Sequence, residues 1–427
     1  MSEKGYAALF FTSRAIAMFK AVASVWALLL GVALFMMGSG LQGSLLGVRA
    51  GTEEFSTVVT GVVMSAYFAG FLIGSMIVPR LVARVGHIRV FGALASLASV
   101  AVLMHAVFVD PVTWIALRLL TGFCYFGLFV VAESWLNERS TNATRGQLLS
   151  VYVIVMTGCM ALGPLLLNIG NPDGFDLFIA ASVMVSLALV PLSLTAYPAP
   201  AFHELEKLKL TQLYRISPLG VIGCVTNGAT SGALIWLASV YAQKVGMPIA
   251  SVSLFAFASI VGGMVLQWPL GHLSDIFDRR QVITGTALTG AVLAIFAALY
   301  GGSNPLILML AVGTVGGMAI PLYTLSVAHT NDHLEPRQMV AASSGLLFAN
   351  GLGGIAGPAL AGGTMAILGP SGYFWFPGAA MGVLGLFALW RMTQRPALPN
   401  DEQLPYVAVP RTSSSGAALA LGDQAEA

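Results

Sequence analysis

Twelve long apolar runs, separated by short polar stretches, follow one another along the chain at 21–46, 57–79, 88–109, 111–134, 147–169, 175–197, 217–243, 249–271, 281–301, 305–328, 340–368 and 371–391. An α-helix rises 1.5 Å per residue, so about 20 apolar residues cross a hydrocarbon layer of about 30 Å. Each run is long and continuous enough to do so. An outer-membrane barrel would instead show stretches of about ten residues with alternating polarity. The pattern therefore predicts an all-α polytopic membrane protein with twelve transmembrane helices.

Composition supports this and excludes other classes. The 427 residues are 57% hydrophobic and 9% charged, with a mean hydropathy of +0.84. A soluble chain carries about 25% charged residues, which argues against a soluble enzyme. High hydrophobicity excludes disorder for the bulk of the chain. The formal net charge of +2 does not suggest a nucleic-acid partner. Cys124, Cys159 and Cys224 stand alone in apolar stretches. Their spacing suits neither a zinc site nor a disulfide framework, and they read as small buried hydrophobes.

The basic residues set an orientation. Lys4, Arg14, Lys20, Arg80, Arg84, Arg89, Arg139, Arg145, Lys207, Lys209, Arg215, Arg279, Arg280, Arg337, Arg391, Arg395 and Arg411 fall on one side of the predicted membrane. Arg49 and Lys244 fall on the other. This bias predicts that both termini are cytoplasmic. The first run is too long for the apolar core of a signal peptide, so it reads as a retained helix.

The chain looks duplicated. Residues 1–198 form one six-helix half, 199–216 a polar cytoplasmic linker, and 217–393 a second half. Gly163-Pro164 in the fifth run matches Gly357-Pro358 in the eleventh, and the basic connection 80–89 matches 272–281. Residues 394–427, rich in Pro, Ser, Ala and Gly, are expected to form a disordered cytoplasmic tail. Two six-helix halves around a central cavity are a transporter architecture.

Against this apolar background, a few polar residues are candidate functional groups. Arg118 is the basic residue that falls well inside a run, where an uncompensated charge is expensive and marks an interior functional position. It suits an anionic solute group or a protonatable partner. The competing reading is a helix-linking arginine bonded to backbone carbonyls. Tyr125, seven residues on, shares nearly the same helical face. Gln42, Tyr67, Asn227, Trp236, Gln267, Tyr323 and Asn350 also fall within runs and are candidate substrate contacts, with helix–helix hydrogen bonding as their alternative use. Glu133 lies roughly 22 Å along the same helix from Arg118, too far for a direct pair, with Arg139 and Arg145 nearer in sequence. It reads as a gating residue, or as a proton carrier if desolvation raises its pKa. His329 and His333 have metal-ligand spacing but no clear third ligand, so a polar helix end is the favoured reading. No metal site or cofactor is expected, and nothing resembles a phosphate loop or a nucleophile elbow.

Several motifs carry a family resemblance. Gly271-His272-Leu273-Ser274-Asp275-Ile276-Phe277-Asp278-Arg279-Arg280 resembles the signature of the major facilitator superfamily, with Asp278 in place of the second glycine. The matching stretch after the second run is degenerate, with Pro79 and Ala83 at the usual Gly and Asp positions. Arg118-Leu119-Leu120-Thr121-Gly122 is similar to another family element, and Gly353 to Gly363 resembles the Gly-Pro motif of antiporters. Leu45-Leu46-Gly47-Val48-Arg49-Ala50, Arg84 to Arg89 and Ala132-Glu133-Ser134-Trp135-Leu136-Asn137 look like the YcaD-like bacterial branch.

The resemblance implies the major facilitator fold in a bacterial inner membrane and a secondary transporter of a small organic solute working by alternating access. It leaves open whether protons are coupled and whether flow is import or efflux by antiport. A membrane sensor without net transport is the alternative of another class. A monomer is expected. A carboxylate facing a helix N-terminus meets about half a positive charge, so Asp275, with Arg279 and Arg280, is expected to latch onto the start of the fifth helix near Arg145 in the outward-open state.

Overall fold

The structure is a computed structural model that describes residues 22–141, 144–194, 208–301, 304–394 and 403–412. Lys4, Arg14, Lys20, Lys207 and Arg395, residues 199–207 of the linker, and the tail outside 403–412 (apart from Gln394) lie outside these residues. The described residues contain helices and no strand. Twelve helices have the length and composition to cross a membrane. They are α1 (Trp26–Thr52), α2 (Thr57–Val85), α3 (His87–Val107), α4 (Pro111–Arg139), α5 (Arg145–Ile169), α6 (Asp176–Ser193), α7 (Pro218–Trp236), α8 (Ile249–Ile276), α9 (Arg279–Tyr300), α10 (Pro305–Asn331), α11 (Arg337–Leu368) and α12 (Gly372–Gln394).

Local chemistry starts several helices where the apolar pattern does. A polar side chain accepts a bond from an otherwise orphaned N–H of the first turn, and a proline supplies a ready-set φ. Asp110 accepts from the Thr113 N–H at 2.9 Å ahead of Pro111. Asn304 accepts from the Leu306 N–H at 3.0 Å ahead of Pro305. Asp278 accepts from the Arg280 N–H at 3.0 Å and so caps α9. The departure from glycine at that signature position therefore supplies a helix cap.

Several helices differ from the continuous apolar runs. α1 extends to Thr52 and α2 to Val85, because helical hydrogen bonding continues past the end of each apolar run. α5 tightens into a 3-10 turn over Gly163–Ile169. α7 breaks at Leu237 and resumes as Ala238–Lys244. α10 breaks after Ala319 and resumes at Leu322, because Pro321 has no N–H to continue the ladder.

The repeat seen in the sequence recurs in the packing. In the first half, a Cβ on Gly163 would lie 2.5 Å from the Leu41 backbone nitrogen of α1. In the second half, a Cβ on Gly357 would lie 2.1 Å from the Ala229 carbonyl oxygen of α7. Each Gly-Pro helix thus approaches the first helix of its own half at backbone distance, as small residues allow in membrane bundles. Large apolar side chains such as Val112, Trp268, Val292 and Ile367 are exposed on the outside, suited to lipid.

The connections after the even-numbered helices form one end of the bundle, called here the basic face for its Arg and Lys residues. The two halves meet toward the opposite face. There the Thr57 hydroxyl donates to the Gly362 carbonyl at 2.9 Å, the Ala359 N–H donates to Ser65 at 3.1 Å, and Asn168 Nδ2 donates to Ser253 at 2.9 Å. Toward the basic face the halves diverge around a vestibule. Residues 403–412, inside the stretch whose composition predicts disorder, run extended through it, with Val409 and Thr412 buried. Composition misreads this segment because its order comes from contacts with distant helices and not from any periodicity of its own.

Candidate functional site

A cavity of about 140 Å³ lies where the halves part. Its walls come from α1, α2, α4 and α5 on one side and α7, α8, α10 and α11 on the other, closed in part by Arg411 and Thr412. Tyr67, Trp236 and Asn350 of the expected contacts line it directly. Ser39, Thr157 and Ser231 also line it and were not singled out from sequence, because lone Ser and Thr residues are unremarkable in membrane helices.

Arg118 is 1% exposed. Its guanidinium carbon lies 4.7 Å from the Tyr67 ring centroid and 4.6 Å from that of Trp236. Tyr67 belongs to the first half and Trp236 to the second, so one cation contacts an aromatic face from each. A desolvated cation on a ring face gains about 2 kcal/mol, far less than full hydration returns. Arg118 Nε and Nη2 have no hydrogen-bond partner among the described residues. Tyr125 packs edge-on against Tyr67 at 6.1 Å and donates to the Phe35 carbonyl at 3.4 Å. Gln42 is buried on α1, and its Nε2 has no partner among the described residues.

Asn227 joins three helices. Its Nδ2 donates to the carbonyls of Ala319 and Ile320 at 2.7 and 3.0 Å, the groups left free where α10 breaks. Its Oδ1 accepts from Asn350 Nδ2 at 2.8 Å, and Asn350 also donates to the Cys224 carbonyl at 3.1 Å. Both asparagines therefore make helix–helix bonds, and Asn350 reaches the cavity as well. Tyr323 is buried in an apolar cluster with Val221, Leu346 and Val409. Gln267 is partly buried and bonds to the Tyr406 hydroxyl.

Of the expected gating residues, Glu133 is fully buried and accepts hydrogen bonds from the Tyr152 hydroxyl, at 2.8 Å, and the Thr412 hydroxyl. Arg145 is partly buried at the start of α5. Asp275 accepts from the Tyr406 N–H at 2.8 Å and lies 3.6 Å from Arg279. Arg279 is 1% exposed and donates through Nη1 to both Asp332 carboxylate oxygens at 2.7 Å. Burial raises the Asp332 carboxyl above its ordinary pKa, although Arg279 works against this. Arg280 pairs with Asp278 at 2.8 Å.

Asp332 is a residue that the sequence reading missed. Its neighbours His329 and His333 drew attention as a metal spacing. Their rings instead meet edge-on at 4.9 Å, and the described residues contain no cluster of three or more His, Cys, Asp or Glu able to hold a metal.

Two six-helix halves, mutually packed on one face and parted on the other around a cavity, with Arg118 buried against two of its aromatic lining residues, define a transporter architecture. Comparison with known proteins identifies which one. The family model described as Major Facilitator Superfamily matches residues 28–268 and, overlapping, 219–420. The chain belongs to that superfamily, whose members are transporters and not enzymes.

Relatives include an uncharacterised transporter of this type from Yersinia pestis (strain Pestoides F), 27% identical over 338 residues, which are 78% of this chain and 86% of the relative. The uncharacterised transporter YcaD of Escherichia coli O6:K15:H31 is 25% identical over 336 residues, covering 78% and 87%. Among solved structures, the nucleoside transporter NupG superposes with a TM-score of 0.67 at 16% identity over 86% of this chain and 98% of NupG. A bacterial homologue of the human lysosomal transporter Spinster, in an inward-facing and occupied conformation, gives 0.64 at 15% identity over 87% and 95%. These structural likenesses concern the fold.

Proposed function

We propose that this protein moves a small organic solute with an anionic group across the bacterial inner membrane by alternating access, with its basic face toward the cytoplasm. The observation that carries this reading is Arg118, a buried cation whose Nε and Nη2 find no hydrogen-bond partner among the described residues, set between Tyr67 and Trp236 at the boundary of the two halves. A buried cation left without a counter-charge is expensive, and an anionic ligand relieves that cost. The aromatic walls favour a flat or amphiphilic organic body over a metal ion or a polycation. Contact with one ring from each half would let solute binding influence how the halves move. Glu133, fully buried beneath the Tyr152 hydroxyl, is the proposed protonation site for coupling. The Asp275 latch to the start of α5 is proposed for the opposite conformation, with the basic face closed.

The test uses purified full-length protein. Small carboxylates, organic phosphates and their neutral amide or alcohol counterparts are screened by thermal shift, and hits are then assayed for flux in proteoliposomes. An anionic hit is expected to stabilise the protein, be carried, and lose about 10- to 100-fold in affinity with Arg118→Gln, the worth of one to two charge-assisted hydrogen bonds. The proposal fails if only neutral solutes are carried or if Arg118→Gln binds the anionic hit as tightly as the parent. A ligand that stabilises but is never moved would favour a sensor.

A further inference from the structure

The segment 403–412, Gln-Leu-Pro-Tyr-Val-Ala-Val-Pro-Arg-Thr, passes from Arg279 and Asp332 of the second half to Glu133 of the first. At its start, the Leu404 N–H donates to Asp332 at 3.2 Å and the Leu404 carbonyl accepts from Arg279 at 2.8 Å. The Tyr406 N–H donates to Asp275, and its hydroxyl bonds to Thr324 at 2.6 Å. Val409 joins the apolar cluster around Tyr323. Arg411 Nη1 then donates to Asn227 Oδ1 and to the Ser231 hydroxyl, each at 3.3 Å, and Thr412 donates to Glu133 of α4.

The fit is specific in two ways. The Tyr406 ring occupies the space of a missing side chain: a Cβ on Gly271 would lie 2.4 Å from the ring. Gly271 opens the signature stretch 271–280, so this glycine, Asp275 and Arg279 all contact the tail. The backbone is also partly preset, because Pro405 and Pro410 fix φ and lower the entropy lost on docking. Only eight residues, 395–402, join the segment to α12. Such tethering gives an effective concentration on the order of millimolar, so modest contacts suffice to keep the segment docked.

From this geometry we infer that residues 403–412 are an intramolecular ligand of the basic-face vestibule, which closes the central cavity on that side and must leave before a solute passes. Its three recognition points are an aromatic seat at Gly271, a guanidinium seat at Asn227 and Ser231, and a hydroxyl seat at Glu133. The inference takes this vestibule as the solute path, as proposed above, but its test needs no solute.

In a Cys124→Ala, Cys159→Ala, Cys224→Ala background, a single reporter cysteine is placed by Thr157→Cys, which lines the cavity from α5. The purified full chain is reacted with a charged maleimide and compared with three variants: a chain ending at Glu402, Gly271→Leu and Arg411→Ala. Labelling is expected to accelerate about fivefold or more in the first two and less in the third. A synthetic peptide of sequence 403–412, added at millimolar concentration, should slow labelling of the shortened chain again. The same peptide carrying Arg411→Ala should slow it less. The inference is overturned if both the shortened chain and Gly271→Leu label within about twofold of the parent, or if the peptide does not slow labelling. Gly271→Leu keeps the whole tail, so it decides the matter even if shortening destabilises the protein. The expected labelling changes, together with no flux by the parent in proteoliposomes, would count against the transport reading alone.

Discussion

Replacing Asn227 with leucine keeps the branching of the side chain but removes three hydrogen bonds among α7, α10 and α11, together with the bond from Arg411. Two of these are donated, at 2.7 and 3.0 Å, to carbonyls exposed by the break in α10, and one is accepted from Asn350 at 2.8 Å. Side-chain hydrogen bonds between membrane helices average about 0.6 kcal/mol and reach about 1.7. Here the acceptors are main-chain carbonyls at a helix break with no intrahelical donor, and a buried orphan costs about 1–3 kcal/mol. Asn227→Leu should therefore destabilise the protein by about 2–4 kcal/mol.

Equilibrium unfolding in mixed micelles with rising SDS measures this loss. Asn350→Leu removes the bonds to Asn227 and to the Cys224 carbonyl but spares both bonds to α10, and should cost about 1–2 kcal/mol. The double variant should be less destabilised than the sum, by about 0.6–1.7 kcal/mol, the shared bond. If Asn227→Leu falls within about 0.5 kcal/mol of the parent, or the two changes simply add, the account of the α10 break is wrong.

Arg279→Gln would leave the Asp332 carboxylate buried without its counter-charge, at a cost of about 3–5 kcal/mol near neutral pH. Burial already raises this carboxyl, and losing Arg279 raises it further, so the native state of the variant binds this proton more tightly than the unfolded chain does. The variant should then approach parental stability near about pH 4 and lose it as pH rises toward about 7. Unfolding midpoints across that range check the sign, and a deficit that instead grows on acidification refutes it. If Glu133 carries the coupled proton, Glu133→Gln should flatten the pH dependence of flux by about tenfold at its steepest point while solute binding persists. An unchanged pH profile and rate would remove Glu133 from coupling.

The twelve spans were legible because hydrocarbon demands long apolar stretches, and each stretch marks the sequence even where, as in α7 and α10, the helix itself breaks. Arg118 was legible for the same reason: a charge inside such a run stands out. The cavity was less legible. Tyr67, Trp236 and Asn350 line it, whereas Asn227 is buried in the helix–helix contacts beside it and Tyr323 in an apolar cluster. A polar residue in a span has the same sequence signature whether it faces a neighbouring helix or a cavity. Asp332 was overlooked because its partner lies 53 residues away.

The sequence alone determined the class, the span count, the duplication and the presence of a cation within a span, because these follow from local composition against a bilayer. Tertiary structure decided which polar groups meet: Arg118 between rings of opposite halves, Arg279 on Asp332, and the tail on Gly271, Asn227 and Glu133. Such pairings depend on close approach between segments far apart in the chain. Glycine makes that approach possible by lacking a side chain, and so leaves little local signal of what will fill the space.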